Sequence, residues 1–190
     1  MKKLANFPFN APAPIVGIAG WKNAGKTTLA VGLVAEFAHR GLKVATVKHA
    51  HHNLRLDDDD TDSARHRRAG ARQVAVVSSK RWALLTETPE GAELDFADVV
   101  ARIDDCDLII VEGYKSQPIP KIEARRTAAK PGLALAEQDA HVLAIAADHA
   151  IENAEVPVFA LDDYTAIADF LVAQFGLAPS DAVASQGEIA

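Results

Sequence analysis

At 190 residues, 49% of them apolar, the chain is long enough for one α/β domain whose sheet is covered on both faces. A formal net charge of −6 argues against nucleic acid or an anionic membrane surface as the main partner, and the single cysteine, Cys106, excludes an internal disulfide and a Cys-rich zinc site. Lys2 and Lys3 lead into Asn6, Pro8, Asn10, Pro12 and Pro14 rather than an apolar run, and no window approaches the ~18 uncharged apolar residues of a membrane span. No secretory signal is predicted, and the expected compartment is the cytoplasm.

Residues 1–13 read as a flexible leader and 177–190 as a flexible tail, with one folded domain over 14–176. The domain opens on an apolar, β-favouring run, Ile15–Ala19. Directly after it, Gly20-Trp21-Lys22-Asn23-Ala24-Gly25-Lys26-Thr27 completes the spacing G-x-x-x-x-G-K-[ST]. That spacing is a physical device. Its glycines let the backbone curl until several N–H groups face one point and hold phosphate oxygens. Lys26 adds a positive charge near the β- and γ-phosphates, and the Thr27 hydroxyl is placed to hold Mg²⁺. A helix over Thr27–His39 follows, with Leu29, Leu33 and Phe37 on one stripe. Its macrodipole strengthens the pull on an anion at the first turn, where Thr28 joins the site. Strand, glycine turn and helix together predict a bound nucleoside triphosphate.

A second strand, Val44–Lys48, runs into His49-Ala50-His51-His52-Asn53 and then the acidic run Asp57–Asp60, which reads as solvated loop. Imidazoles this close together can serve an anion, a pterin or a transition metal. Lys48, His49, His51 and His52 are therefore candidate pterin or anion ligands. Thr61 caps a short basic helix, Asp62–Ala69, closed by Gly70. Its Arg65, Arg67 and Arg68 pair by default with the preceding aspartates. Strands Gln73–Ser78 and Trp82–Thr86 follow, then a helix over Phe96–Ile103.

The next strand, Leu108–Glu112, is apolar until it ends in a carboxylate and Gly113. Phosphate-binding loops work with such an acid, which anchors Mg²⁺ and polarises the attacking water. Glu112 fits that role; an ordinary solvated strand end is the alternative. Strand Val142–Ala147 stops at Asp148, which either accepts hydrogen bonds from guanine N1 and N2 or caps a turn, since the string Asn-Lys-x-Asp is absent there. Strand Val158–Leu161 and helix Tyr164–Phe175 close the domain. Continuous apolar strands alternating with helices predict a mostly parallel α/β sheet, with ligands beyond the carboxyl ends of the strands. The glycine loop, Lys48-His49, Glu112-Gly113 and Asp148 all fall at that edge.

In chain order, the loop with Thr27-Thr28-Leu29, Val47-Lys48-His49-Ala50-His51-His52, Asp62-Ser63-Ala64-Arg65-His66-Arg67-Arg68-Ala69-Gly70-Ala71, Arg81-Trp82-Ala83-Leu84-Leu85-Thr86-Glu87, Val111-Glu112-Gly113-Tyr114-Lys115 and Pro120-Lys121-Ile122-Glu123 carry a family likeness. The chain resembles the MobB family, molybdopterin-guanine dinucleotide biosynthesis protein B, over roughly residues 14–175. The resemblance implies a three-layer P-loop NTPase-like fold, mostly parallel, with a β-hairpin extension. It implies a homodimeric GTPase of low activity, using GTP and Mg²⁺. Its task would be to assist a MobA-like guanylyltransferase that attaches GMP to the pterin phosphate of molybdopterin in making the molybdenum cofactor. Glu112 would be the acid acting with Lys26, Asp62 would lie near the Mg²⁺ held by Thr27 and Glu112, and Pro120–Ala124 would form an exposed strand used in pairing. Related dimeric P-loop ATPases carry a signature lysine five positions before the loop lysine. Trp21 stands there, with Lys22 next, so a lysine acting in trans is not expected. Two other readings use the same loop. One is a small-metabolite kinase with Arg125-Arg126 or Arg65–Arg68 as its lid. The other is a nucleotide-switched adaptor or metallochaperone built on His49, His51 and His52.

Overall fold

The computed structural model describes residues 10–50, 61–89, 92, 94–130 and 132–179. Its elements run β1 (Ile15–Ala19), α1 (Lys26–His39), β2 (Val44–Lys48), α2 (Asp62–Arg68), β3 (Gln73–Val77), β4 (Trp82–Thr86), α3 (Phe96–Val100), β5 (Leu108–Glu112), β6 (Lys121–Arg125), a 3₁₀ turn (Leu135–Glu137), β7 (Val142–Ala147), β8 (Val158–Ala160) and α4 (Tyr164–Phe175). The described residues of 1–49 and 100–190 form one compact unit and those of 50–99 another. Most of the expected leader and tail, together with His51, His52 and Asp57–Asp60, lie outside the described residues.

In the first unit six strands pair in parallel in the order β2-β5-β1-β6-β7-β8. The central strands are the near-continuous apolar runs, and Ile15, Val16, Ile18, Ile109 and Val111 are fully buried. The edge strand β8 is largely exposed. Against one face pack Leu29, Leu33 and Phe37 of α1 with Ile167, Ala168 and Leu171 of α4, closing over Val16, Ile18, Ile110, Ile122 and Ala146. Each of the larger side chains gains about 1.5–3 kcal/mol from full burial. The helices lie close because Gly32 has no side chain: a Cβ there would fall 2.3 Å from the Tyr164 ring. α4 starts where Asp163 accepts the Ala166 N–H at 3.0 Å and stops at Gly176, whose φ is 66°. Leu177 still packs against this core. No helix among the described residues is long and apolar enough to cross a membrane.

One expectation is overturned. The segment Pro120–Ala124 is not an exposed pairing strand; β6 lies between β1 and β7 in mid-sheet, with Lys121 and Glu123 each 1% exposed. The alternation Lys-Ile-Glu-Ala-Arg has the pattern of a half-solvated strand, yet every charge is matched inside. Lys121 Nζ donates to the Gln117 carbonyl at 2.6 Å and to Asp139 Oδ2 at 2.7 Å. Glu123 accepts the N–H groups of Leu135 and Ala136 at 3.0 and 2.9 Å and a hydrogen from Arg125 Nη2 at 2.8 Å. Burial works to raise the Asp139 carboxyl, but the hydrogen bonds from Lys121 and His141 outweigh it and hold the group below its ordinary range.

In the second unit Thr61 Oγ1 accepts the Ala64 N–H at 3.3 Å and caps α2. β3 and β4 form an antiparallel hairpin from Gln73↔Thr86 to Val77↔Trp82. Asp62 lies 3.5 Å from Arg65, and Arg67 reaches Glu87 at 3.4 Å, so Glu87 is a partner that the default pairing with preceding aspartates did not include. The helix expected over Phe96–Ile103 ends at Val100; beyond it the Ile103 N–H bonds the Val100 carbonyl in a tighter turn.

Candidate functional site

The glycine loop leaves β1 between the ends of β5 and β6. At Gly20 a Cβ would fall 2.5 Å from the Ala124 carbonyl oxygen, so the chain can pass β6 only as glycine. Asn23 (φ 68°) and Gly25 (φ 89°) take left-handed conformations that curl the loop back into α1. The helix begins at Lys26, one residue earlier than its periodicity predicted. Gly25 offers no side-chain cap, and the first turn holds no acidic residue. By contrast α2 and α4 are capped by Thr61 and Asp163. The first N–H groups of α1 and the positive end of its dipole thus meet a groove of about 400 Å³ lined by Asn23–Thr28, Glu112 and Arg126.

Glu112 joins this groove from the end of β5. Thr27 Oγ1 donates to Glu112 Oε1 at 2.6 Å. Lys48 Nζ lies 3.3 Å from Glu112 Oε2 and donates to Thr27 Oγ1 at 3.4 Å. Lys48, expected as a pterin or anion ligand, sets its charge against the acid, with 59% of its side chain exposed. Among the described residues no cluster of three or more His, Cys, Asp or Glu side chains forms a metal cage. Two hard oxygen donors side by side fit Mg²⁺, which takes one or two protein ligands and keeps phosphate oxygens and waters for the rest.

Lys26 Nζ folds back across its own loop and donates to the Trp21 carbonyl at 2.9 Å. Burial pushes this ammonium below its ordinary value of 10.5; Glu112 opposes the shift, while Lys48 and Lys115 add to it. A charge-dependent grip on phosphate is complete below the pKa of the lysine in the fold and is lost as pH rises through it. Nucleotide affinity should therefore begin to fall on the alkaline side earlier than an ordinary lysine allows, and Lys26→Arg should delay that fall. Dissociation constants taken from about pH 8 to 10.5 test this; a flat profile over that range would contradict it.

A cavity of about 630 Å³ adjoins the groove and shares Thr28 and Arg126 with it; Asp148, His149, Leu161, Asp162 and Tyr164 complete much of its wall. Asp148 Oδ1 accepts the Thr127 N–H at 2.8 Å and the Thr127 hydroxyl at 3.1 Å, and lies 2.8 Å from His149 Nδ1. These bonds, that of His149 first, hold the carboxyl below its usual range. Asp148 thus anchors a turn and also faces the cavity that continues the groove.

The remaining candidates have environments of their own. Trp21 Nε1 donates to the Leu133 carbonyl at 2.9 Å, and a Cβ on Gly132 would fall 2.1 Å from the indole. At the signature-lysine position, this side chain binds its own chain. The Lys115 ammonium sits 4.4 Å from the Trp21 ring centroid and supplies a positive charge beside the loop that the motif did not predict. Lys22 contributes its backbone, accepting the Lys130 N–H at 3.0 Å. The His49 ring lies 4.7 Å from that of Tyr114, and the His49 backbone N–H donates to the Glu112 carbonyl at 3.0 Å. Asp62 belongs to the unit of residues 50–99. Arg126, weighed from sequence only as half of a kinase lid, lines the groove of the glycine loop itself. Knowing that β6 neighbours β1 is what exposes it.

Comparison with known proteins gives the family and the fold. Residues 15–148 match the family model described as MobB, molybdopterin guanine dinucleotide synthesis protein B. The chain is similar to the molybdopterin-guanine dinucleotide biosynthesis adapter protein of Escherichia coli K12, at 39% identity over 84% of this chain and 91% of the other. It is similar at 40% identity, over 75% and 79%, to the protein of the same description from Haemophilus influenzae. Among solved structures, the crystal structure of molybdopterin-guanine biosynthesis protein B aligns with a TM-score of 0.63 at 26% identity, covering 84% of this chain and 98% of that one. The X-ray structure of a MobB homologue from Bacillus stearothermophilus aligns at 0.60 with 27% identity, covering 85% and 97%. A match that spans the glycine loop, Glu112 and Asp148, in a chain of the same fold, shows that this chain belongs to the MobB family.

Proposed function

We propose that this protein binds GTP with Mg²⁺ in the loop groove. There it acts as a homodimeric adapter that assists a MobA-like guanylyltransferase in attaching GMP to the pterin phosphate of molybdopterin, within the cytoplasm. One observation carries the reading: an uncapped helix N-terminus, a buried-side lysine and a Thr27–Glu112 pair converge on one groove. Curled amides and Lys26 hold the phosphate tail and offset the charge that grows on it. Mg²⁺, when bound at Thr27 and Glu112, would neutralise phosphate charge and orient the tail. Glu112, freed from Lys48, would then order water at the γ-phosphate. Among the described residues no glutamine lines the groove to position that water, which supports slow hydrolysis to GDP and phosphate. The adjoining cavity with Asp148 on its wall has the chemistry to accept guanine N–H groups. Support for the homodimer now rests on the hairpin rather than on β6, because Val77 and Trp82 are 76% and 66% exposed.

Titration with GTP, GDP and ATP in the presence of Mg²⁺, with and without purified molybdopterin, tests the proposal. GTP and GDP should bind and ATP should bind more weakly. Equal affinity for ATP would remove Asp148 from base selection, and no binding of any of the three would overturn the whole reading. Transfer of phosphate to a pterin or nucleoside, in place of free phosphate, would move the protein to the kinases.

A further inference from the structure

We infer that Arg126 is a built-in clamp on the α-phosphate end of the nucleotide, acting within the same chain. The inference rests on the phosphate groove proposed above and names a residue that the loop motif does not contain. Its warrant is positional. Strand order puts β5 on one side of β1 and β6 on the other, so the glycine loop is flanked on both sides. From the β5 side come Glu112 and, beside it, Lys48, which meet at the Thr27 hydroxyl. From the β6 side comes Arg126, one residue past the strand.

The Arg126 guanidinium lies against Gly25: a Cβ built there would be 3.4 Å from Nη2 and 3.5 Å from Cζ, with Leu161 Cδ2 at 3.2 Å. Half-buried in that corner, the guanidinium has no hydrogen-bond or ion-pair partner among the described residues. Its neighbour in sequence is matched, since Arg125 pairs with Glu123 at 2.8 Å. Arg40, elsewhere on the surface, is matched by Glu36 and Asp169. An arginine seated without a carboxylate beside a phosphate-binding turn keeps its fork of donors for an anion.

Which phosphate it serves follows from the cavities. Arg126 and Thr28 are the residues common to the loop groove and to the cavity walled by Asp148 and Tyr164, and Glu112 lines only the groove. A nucleotide with its nucleoside toward Asp148 and its terminal phosphate toward Glu112 presents its first phosphate at Arg126. The clamp therefore grips what GDP and GTP share, and it does not distinguish substrate from product.

The experiment measures affinity for GTP and GDP with Mg²⁺ by calorimetry, using the full chain, Arg126→Gln, Arg126→Lys and Lys26→Ala. Arg126→Gln should weaken both nucleotides by the same factor, about tenfold or more, the worth of a charge-assisted hydrogen bond. Arg126→Lys, which keeps the charge but not the fork, should lose less, again equally for both. Circular dichroism confirms the fold of each variant, and Arg126→Lys decides alone if Arg126→Gln does not fold. Unchanged affinity in folded Arg126→Gln, or a loss confined to GTP, would overturn the clamp while Lys26→Ala still confirmed the groove. Absence of binding by the unaltered chain would instead take down the nucleotide reading beneath it.

Discussion

Lys26→Ala is expected to reduce GTP affinity by about a hundredfold or more while leaving the fold intact. The Lys26 ammonium folds back across its own loop, donating to the Trp21 carbonyl at 2.9 Å, and lines the groove. A charged hydrogen bond contributes about 1.5–3 kcal/mol, and the upper part of that range is a hundredfold in affinity. Here the bond would also act beside an uncapped helix N-terminus, where water competes less well for the anion. The fold should tolerate the change, because α1 is held by Leu29, Leu33 and Phe37 rather than by Lys26. Calorimetric titration of a variant with an unaltered melting curve checks both halves. Retained GTP affinity in that folded variant would mean that the loop is not the nucleotide site.

The largest effect on stability should come from Glu123→Ala, a loss of about 3–5 kcal/mol measured by urea unfolding. Glu123 is 1% exposed and satisfies two N–H groups at the start of the 3₁₀ turn as well as the Arg125 guanidinium. Truncation leaves the Leu135 and Ala136 N–H groups without their acceptor, and the Arg125 charge loses its partner. Lys121→Met should cost less. It removes a buried cation, yet its partner Asp139 has 23% of its side chain exposed and can turn to solvent. A Glu123→Ala variant within 1 kcal/mol of the parent would show that the segment Arg125–Glu137 finds other partners on its own.

The two changes divide along the site itself. Lys26 governs what the groove holds, and Glu123 governs the strand that brings Arg126 to its edge. A variant that binds weakly but melts normally belongs to the first class. One that melts early belongs to the second.

The apolar runs and their periods were enough to place β1, β2, β4, β5, β7 and α4 with their ends, because β-favouring runs, and for α4 a helical apolar stripe, are local signatures. The spacing of Gly20, Gly25, Lys26 and Thr27 was equally direct, since left-handed backbone and a helix start are properties of a few adjacent residues. Glu112 was also recognisable, as an acid ending an apolar strand, and the fold brings it within 2.6 Å of Thr27. Other features had no local signature. Lys121 and Glu123 look solvent-facing in sequence, and only Asp139, Arg125 and the amides of Leu135 and Ala136 make their burial possible. Trp21 finds Leu133 and Arg126 finds Gly25 because β6 docks beside β1. Local conformation and apolar pattern were determined by the chain as written. Charge pairing and the second wall of the groove were decided by strand order, because electrostatic partners are chosen by distance in space and not by separation along the sequence.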